Sequence, residues 1–347
     1  MVALNLNNRR VLTATVLATL VTICFVFGLR TTSYDPVSLW KSGGASPTSP
    51  ERLAYALLMA SSIDQSEDLE NDHYFVAARI VIWQLLHNPS TKTTNGADVF
   101  VMVTPDVSKS RIERLKKDGV KVRPVEVVHT PNDHWVVPEQ PRLVAMMAKL
   151  RLWEMTEYSR ILFLDSDFVL RSSLDGVFDD PGTQRVKTLN KATSNFTQLE
   201  GEAPLPETYL LASLPETSDS NHDFPPTNIN TPQYMNGGFF MLAPDLVMFE
   251  HMKSIMDIEN SFNQKYMEQS LINYVHRKEG PMPWAETKEQ WCIRYPNEND
   301  FEKGLVSMHE KWWKQPFIYD NEKVKDYLKA VRWEMKGWYD GRESVSS

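Results

Sequence analysis

Two rhythms alternate along the chain: short continuous apolar runs of strand length, and longer stretches with apolar residues three or four apart. Leu53 to Ala60 is the first apolar run. Asp72 to His87 follows, with Phe75, Ile80, Trp83 and Leu86 at helical spacing. Asp98 to Thr104 reads as a buried strand, closed by a turn at Pro105 and Asp106. Ile112 and Leu115 mark the buried face of a basic helix that stops at Gly119. Val120 to Val128 is a third strand candidate, interrupted by Pro124. Pro141 opens a helix whose apolar face carries Leu143, Met147, Leu150 and Trp153. Ile161 to Leu164 is a short buried strand that ends on Asp165.

Strands alternating with helices predict an α/β domain with a doubly wound, mostly parallel sheet. Ligands bind at the carboxyl ends of such strands, and Asp165 stands at one of them. Residues 180–232 are rich in Pro, Thr, Ser, Asn and Glu and break the rhythm, so they read as one long surface loop. Gly237 to Leu242 then predicts a strand, and Asn263 to Arg277 a helix.

The N-terminus changes the picture. Arg9 and Arg10 precede a charge-free apolar stretch, Val11 to Leu29, that Arg30 ends. That stretch is long enough to span a bilayer as a helix. It exceeds the h-region of about 7–15 residues in a cleaved signal peptide, and no small-x-small cleavage site follows it. The expected organisation is a cytosolic tail (1–10), a transmembrane signal anchor (11–29), a flexible stem (30–50) and a catalytic domain (51–347). The arginines before the anchor outweigh Arg30, which favours a luminal domain. Asn195-Phe196-Thr197 is an N-glycosylation sequon and agrees with that orientation. The expected location is a single-pass type II protein of the Golgi membrane, with the endoplasmic reticulum as the second choice.

Composition narrows the partners. The 347 residues carry a net charge of -8 and no basic run, so a nucleic-acid partner is not expected. Of the two cysteines, Cys24 lies in the apolar stretch, so a bridge to Cys292 is implausible.

Asp165-Ser166-Asp167 is the central chemical motif. Four apolar residues lead into it and three follow, which holds the pair near the core at a binding edge. Two adjacent carboxylates repel unless a positive charge joins them, and a divalent cation does so; oxygen ligands suit Mn²⁺ or Mg²⁺. A pair of surface carboxylates in a turn is the plainer alternative. A phosphatase of the haloacid dehalogenase type fits poorly, because Val169 stands where that motif needs Thr. Asn236, Gly237 and Gly238 form a second feature: glycine permits close backbone approach to a ligand, and the amide can both donate to and accept from ligand hydroxyls. A simple turn with a glycine bulge is its alternative. Trp284, Trp291, Trp312 and Trp313 crowd the C-terminal third and read mostly as core.

Across about residues 52–320 the chain resembles glycosyltransferase family 8, the glycogenin-like group. It looks closest to the fungal branch that includes Golgi N-acetylglucosaminyltransferases. The matching pieces run in order: Asn71-Asp72-His73-Tyr74; Val103 to Ser108; Lys149-Leu150 with Trp153; Tyr158 and Arg160 to Asp167; Tyr234 to Phe240; Glu268-Gln269 with Leu271 and Asn273; and His309 to Lys314. The resemblance implies a glycosyltransferase A-type domain with a Rossmann-like nucleotide-binding half. It implies retaining transfer from a UDP-sugar, with Mn²⁺ (or Mg²⁺) held by Asp165, Asp167 and His309. Asn71, Tyr74, Lys149, Ser166 and Gly238 are implied nucleotide-sugar contacts, and Glu268, Gln269 and Asn236 lie nearest the reacting centre. Lys311 or Lys314 supplies a cation at the diphosphate. The family's usual ending departs here: Trp312 replaces a glycine, and no lysine occupies the later position. Glu268 stands where the family usually has Asp. The implied partners are a nucleotide sugar and a glycan, glycoprotein or glycolipid acceptor. A membrane scaffold of the same fold that binds sugar without transferring it is the alternative, and the intact Asp165, Asp167 and His309 argue against it.

Overall fold

The computed structural model describes residues 51–60, 68–190, 197–227, 229, 232–313 and 321–346. The stretch 11–29, the stem, the sequon's Asn195 and Lys314 lie outside the described residues. Among the described residues no helix is long and apolar enough to cross a membrane. Residues Glu51–Ser347 form one compact unit.

The elements follow in chain order. Strand β1 is Leu53–Met59, helix α1 His73–Leu86, β2 Asp98–Val103, α2 Lys109–Asp118 and β3 Lys121–Pro124. A 3-10 helix spans Pro141–Glu154, then β4 runs Arg160–Leu164 and β5 Phe168–Leu170. Strand β6 is Leu211–Pro215, β7 Met235–Leu242, helix α3 Leu246–Met256 and α4 Glu268–Val275. Strand β8 is Ala285–Glu286, β9 Ile293–Arg294, β10 Ser307–His309, and helix α5 Glu322–Ser346 closes the chain.

The main sheet has seven strands in the order β8-β6-β7-β4-β1-β2-β3. Strand β1 pairs in parallel with β2 and β4, and β2 in parallel with β3. This is a Rossmann-like half with the order 3-2-1-4, whose direction of winding reverses between β1 and β4. Strand β7 runs antiparallel to both β4 and β6, so the sheet is mixed. A second, three-stranded sheet, β9-β10-β5, lies beyond the DxD turn.

Alternation in the strands explains the two faces. Ala54, Ala56 and Leu58 of β1 face the core beneath the 3-10 helix, α3 and α4, while Tyr55, Leu57 and Met59 face α1 and α2. A third core joins Val76, Ile80 and Trp83 of α1 to the small sheet and to Val324, Leu328, Val331 and Met335 of α5. Trp284, Trp291 and Trp312 are buried, as read, and Cys292 is a buried free thiol.

Four local expectations need correction. The helix opened by Pro141 is a 3-10 helix, and its inward row Val144, Met147, Leu150, Trp153 recurs every third residue as that geometry requires. The third strand stops at Pro124, just after which the Val125 N–H makes a last bond to the Val103 carbonyl at 2.9 Å. The segment read as one loop from 180 to 232 contains β6, an interior strand with Leu211, Ala212, Ser213 and Leu214 buried. The predicted helix 263–277 is broken at Met267, whose φ of 48° separates the turn Gln264–Tyr266 from α4. Helices α3 and α5 were not anticipated.

Candidate active site

The winding reversal between β1 and β4 opens a cavity of about 280 Å³. Its floor is the end of β1, Leu58 to Ala60, and the Asp165-Ser166-Asp167 turn that follows β4. Tyr74, Arg142, Met146, Gln269, Arg294, His309 and Lys311 complete the lining.

Strand pairing explains how His309 reaches a pair of residues far away in sequence. In the antiparallel pairing of β5 with β10, His309 lies opposite Phe168, the residue after Asp167. The Glu310 N–H donates to the Asp167 carbonyl at 3.0 Å, and the His309 ring stacks on Phe168 at 4.6 Å. His309 Nε2 is thereby 3.1 Å from Asp167 Oδ1 and 3.9 Å from Asp165 Oδ2. Ligand atoms of Asp165, Asp167 and His309 all lie within 4.8 Å of one another.

The residues fit one divalent ion. Neighbouring ligands around a small divalent ion stand about 3 Å apart and opposite ones about 4 Å apart, given bonds of about 2.1 Å. The surrounding backbone leaves room for those ligands. A Cβ on Gly238 would lie 2.4 Å from His309 Cε1 and 2.7 Å from Asp165 Oδ2. Strand β7 places Gly238 there: its carbonyl accepts from the Asp165 N–H at 2.8 Å.

The carboxylates are compensated by fixed cations. Lys149 is buried, and its ammonium lies 3.0 Å from Asp165 Oδ1 and 3.0 Å from Glu268 Oε1. It also donates to the Gly237 carbonyl at 3.0 Å. Burial alone would lower the Lys149 pKa, but Asp165 and Glu268 raise it, so the charge is held. On the other side, Lys311 Nζ is 2.6 Å from Asp167 Oδ2. Burial pushes the Asp167 carboxyl up, yet His309 and Lys311 hold it well below the usual range.

The sequence-predicted residues divide into three groups. Tyr74, Asp165, Ser166, Asp167, Gln269, His309 and Lys311 line the cavity. Asn236, Gly238, Lys149 and Glu268 build its wall. Asn236 Oδ1 accepts from the Gly238 N–H and Gln269 Oε1 from the Gly237 N–H, both at 2.8 Å. Glu268 is buried, and desolvation raises its pKa although the facing Lys149 pulls it down. Asn71 stands apart: it is exposed, and its amide bonds to Asp68 at 2.9 Å. Its neighbour Asp72 caps α1 and pairs with Arg111, so that part of the motif shapes the helix. Two charged cavity residues were missed, Arg142 and Arg294. Arg294 lies on a two-residue strand in register with His309 and pairs with Glu216, inside the segment read as loop. Its charge carried no periodic signal. Arg142 follows Pro141 directly at the start of the 3-10 helix.

Known proteins are similar to this chain over about 70% of its length. An uncharacterised protein of Schizosaccharomyces pombe is 26% identical over 267 residues, covering 70% of each chain. Galactinol synthase 4 of Arabidopsis thaliana is 24% identical over 259 residues, covering 72% of this chain and 73% of its own. Among solved structures, mouse xyloside xylosyltransferase 1 aligns at a TM-score of 0.41 and 11% identity, covering 74% of this chain and 97% of its own. The model of Glycosyl transferase family 8 matches residues 69–304, which includes both DxD carboxylates and stops just short of His309. Since that match covers well over half the sequence, the chain belongs to Glycosyl transferase family 8 and is a glycosyltransferase.

Proposed function

We propose that this protein transfers a hexose or N-acetylhexosamine from a UDP-sugar to a glycan or glycoconjugate acceptor, with retention, on a glycosyltransferase A-type fold. The observation that carries this reading is the convergence of Asp165, Asp167 and His309 at the switch point of the nucleotide-binding half. N-acetylglucosamine is the first donor to test, from the resemblance of the motifs.

The three residues would hold a divalent ion, Mn²⁺ in this proposal. When bound, such an ion neutralises charge on a departing diphosphate. The chain's own residues do the remainder. Lys311 stands beside Asp167 and adds a cation at the same end of the cavity. Tyr74 offers a ring for the nucleoside base, supported edge-on by Trp313 at 4.9 Å. Gln269 has its Oε1 held by the Gly237 N–H and its amide group beside the Tyr234 hydroxyl, which fixes the orientation of the amide N–H groups that would meet sugar hydroxyls or the acceptor oxygen. Lys149 is a positioning residue: it holds Asp165 and Glu268 in place from behind the wall.

Hydrolysis and transfer assays with a panel of UDP-sugars and Mn²⁺ test the reading. Asp167→Asn keeps size and removes charge, and the rate falls at least about a thousandfold if the cation carries several kcal/mol. Metal-independent binding of UDP without turnover would instead favour a sugar-binding scaffold.

From the sequence we further propose that residues 11–29 anchor the protein with its domain in the Golgi lumen. Protease protection in sealed microsomes checks this, and digestion of the domain without detergent overturns it.

A further inference from the structure

Helix α4 has two working faces. Gln269 points to the cavity, whereas Ser270, Asn273 and Tyr274 follow helical spacing of three and four residues and, with Arg277 just past the helix end, line a separate groove. The groove holds about 340 Å³ and is walled on its other side by Tyr234, Asn263 and Tyr266. No part of the chemistry described above uses it.

Three tyrosines in one groove present amphipathic surface. Tyr266 is 41% exposed with the long Lys265 side chain over its ring at 5.1 Å, and the Tyr274 ring packs on the buried Phe262 at 6.4 Å, so both rings are fixed at the groove surface. Arg277 lies over the Tyr274 ring at 4.4 Å. Between the rings stand an amide and a hydroxyl, Asn263 and Ser270. Flat apolar faces with hydroxyl-matching groups between them suit pyranose rings, which carry C–H faces and equatorial hydroxyls.

The groove is mechanically joined to the cavity. The Tyr234 hydroxyl lies 3.2 Å from Ser270 Oγ, next in sequence to Gln269. Asn273 locks the junction: its Oδ1 accepts from the Met235 N–H at 2.8 Å, and its Nδ2 donates to the Met235 carbonyl at 3.1 Å and the Gln269 carbonyl at 2.8 Å. One side chain thus fixes the start of β7, the groove wall and Gln269 together. The buried positive-φ residue Met267 sets the angle at which α4 leaves Tyr266.

We propose that this groove binds the distal sugar units of an oligosaccharide acceptor, the part remote from the hydroxyl that receives the sugar. The inference rests on the transferase reading and deepens it: the enzyme prefers an extended glycan over a single sugar.

The test uses the full-length protein with Mn²⁺ and the UDP-sugar that it hydrolyses, against gluco-, galacto- and manno-oligosaccharides of one to four units. The wild type shows a KM that falls at least about tenfold from one to three units. In Tyr266→Ala/Tyr274→Ala that fall is lost, while UDP-sugar hydrolysis and transfer to the single unit stay unchanged. Tyr266→Trp/Tyr274→Trp restores the length dependence, which separates loss of stacking from loss of fold. Saturation-transfer NMR of the same oligosaccharides on the UDP-loaded protein gives a readout that needs no turnover. A wild type that neither binds the longer glycans more tightly nor uses them at lower KM overturns the groove and leaves the transferase intact. A wild type that binds them through the tyrosines but hydrolyses no UDP-sugar upholds the groove as a glycan site and overturns the transferase reading.

Discussion

At Gly238 the backbone passes so close to the ligand cluster that a single methyl group would collide with it. Its φ lies outside the left-handed region, so its role is one of space rather than of backbone conformation. Gly238→Ala is expected to keep the fold and weaken divalent-ion binding by about 10–100-fold, measured by titration calorimetry beside a thermal melt. Asp165 and Asp167 were legible in the sequence because four apolar residues lead into them. Arg294 and Glu216 were not, because neither sits in a periodic element that would have assigned it a face. His276 shows a different residue-scale effect. Its Nδ1 donates to the Met282 carbonyl at 2.8 Å, and burial lowers its pKa to about 3. The unfolded chain takes up the proton near pH 6.5 and the folded one only near 3. Stability therefore falls as pH drops through that window, with a slope of up to about 1.4 kcal/mol per pH unit. In His276→Asn that contribution is absent, and denaturant titrations from pH 7 to 4 measure the flatter slope.

At the scale of elements, β5 is the piece that joins the two halves of the metal cluster. One edge pairs with β10, which brings His309. The other edge is held by the buried Gln84 of α1, whose Nε2 donates to the Leu170 carbonyl at 2.7 Å while its Oε1 accepts from the Leu170 N–H at 2.8 Å. Gln84→Leu leaves both backbone groups buried without a partner, at about 1–3 kcal/mol each. The expected outcome is a lower melting temperature together with weaker metal binding, whereas an exposed control such as Lys92→Ala changes neither. Gln84 read as one polar position inside an apolar helix. Its function required a strand that arrives some eighty residues later. The same distance hid β6: a short apolar run between prolines resembles a loop until β7 and β8 are present to pair with it.

At the scale of the molecule, the two carboxylates are already paired with Lys149 and Lys311, so the fold does not depend on a bound ion. Chelation is expected to abolish transfer without unfolding the chain. Adding Mn²⁺ at a hundred times its Kd stabilises the folded state by about 2.7 kcal/mol, which a thermal shift reads as a rise of several degrees. Asp167→Asn removes most of that rise.

The sequence by itself determined the α/β alternation, the strand that delivers the two carboxylates to a binding edge, and the family, because each is written in contiguous residues. Local patterns also gave α1 from its helical spacing and the end of α2 at Gly119. Only the tertiary structure decided the antiparallel insertion of β7, the placement of His309 opposite Phe168, the enclosure of Lys149 between two carboxylates and the groove behind α4. Each of these depends on which strand edges and side chains meet across long loops. That choice is made by burial of both faces of the sheet at once, and no short window of sequence contains it.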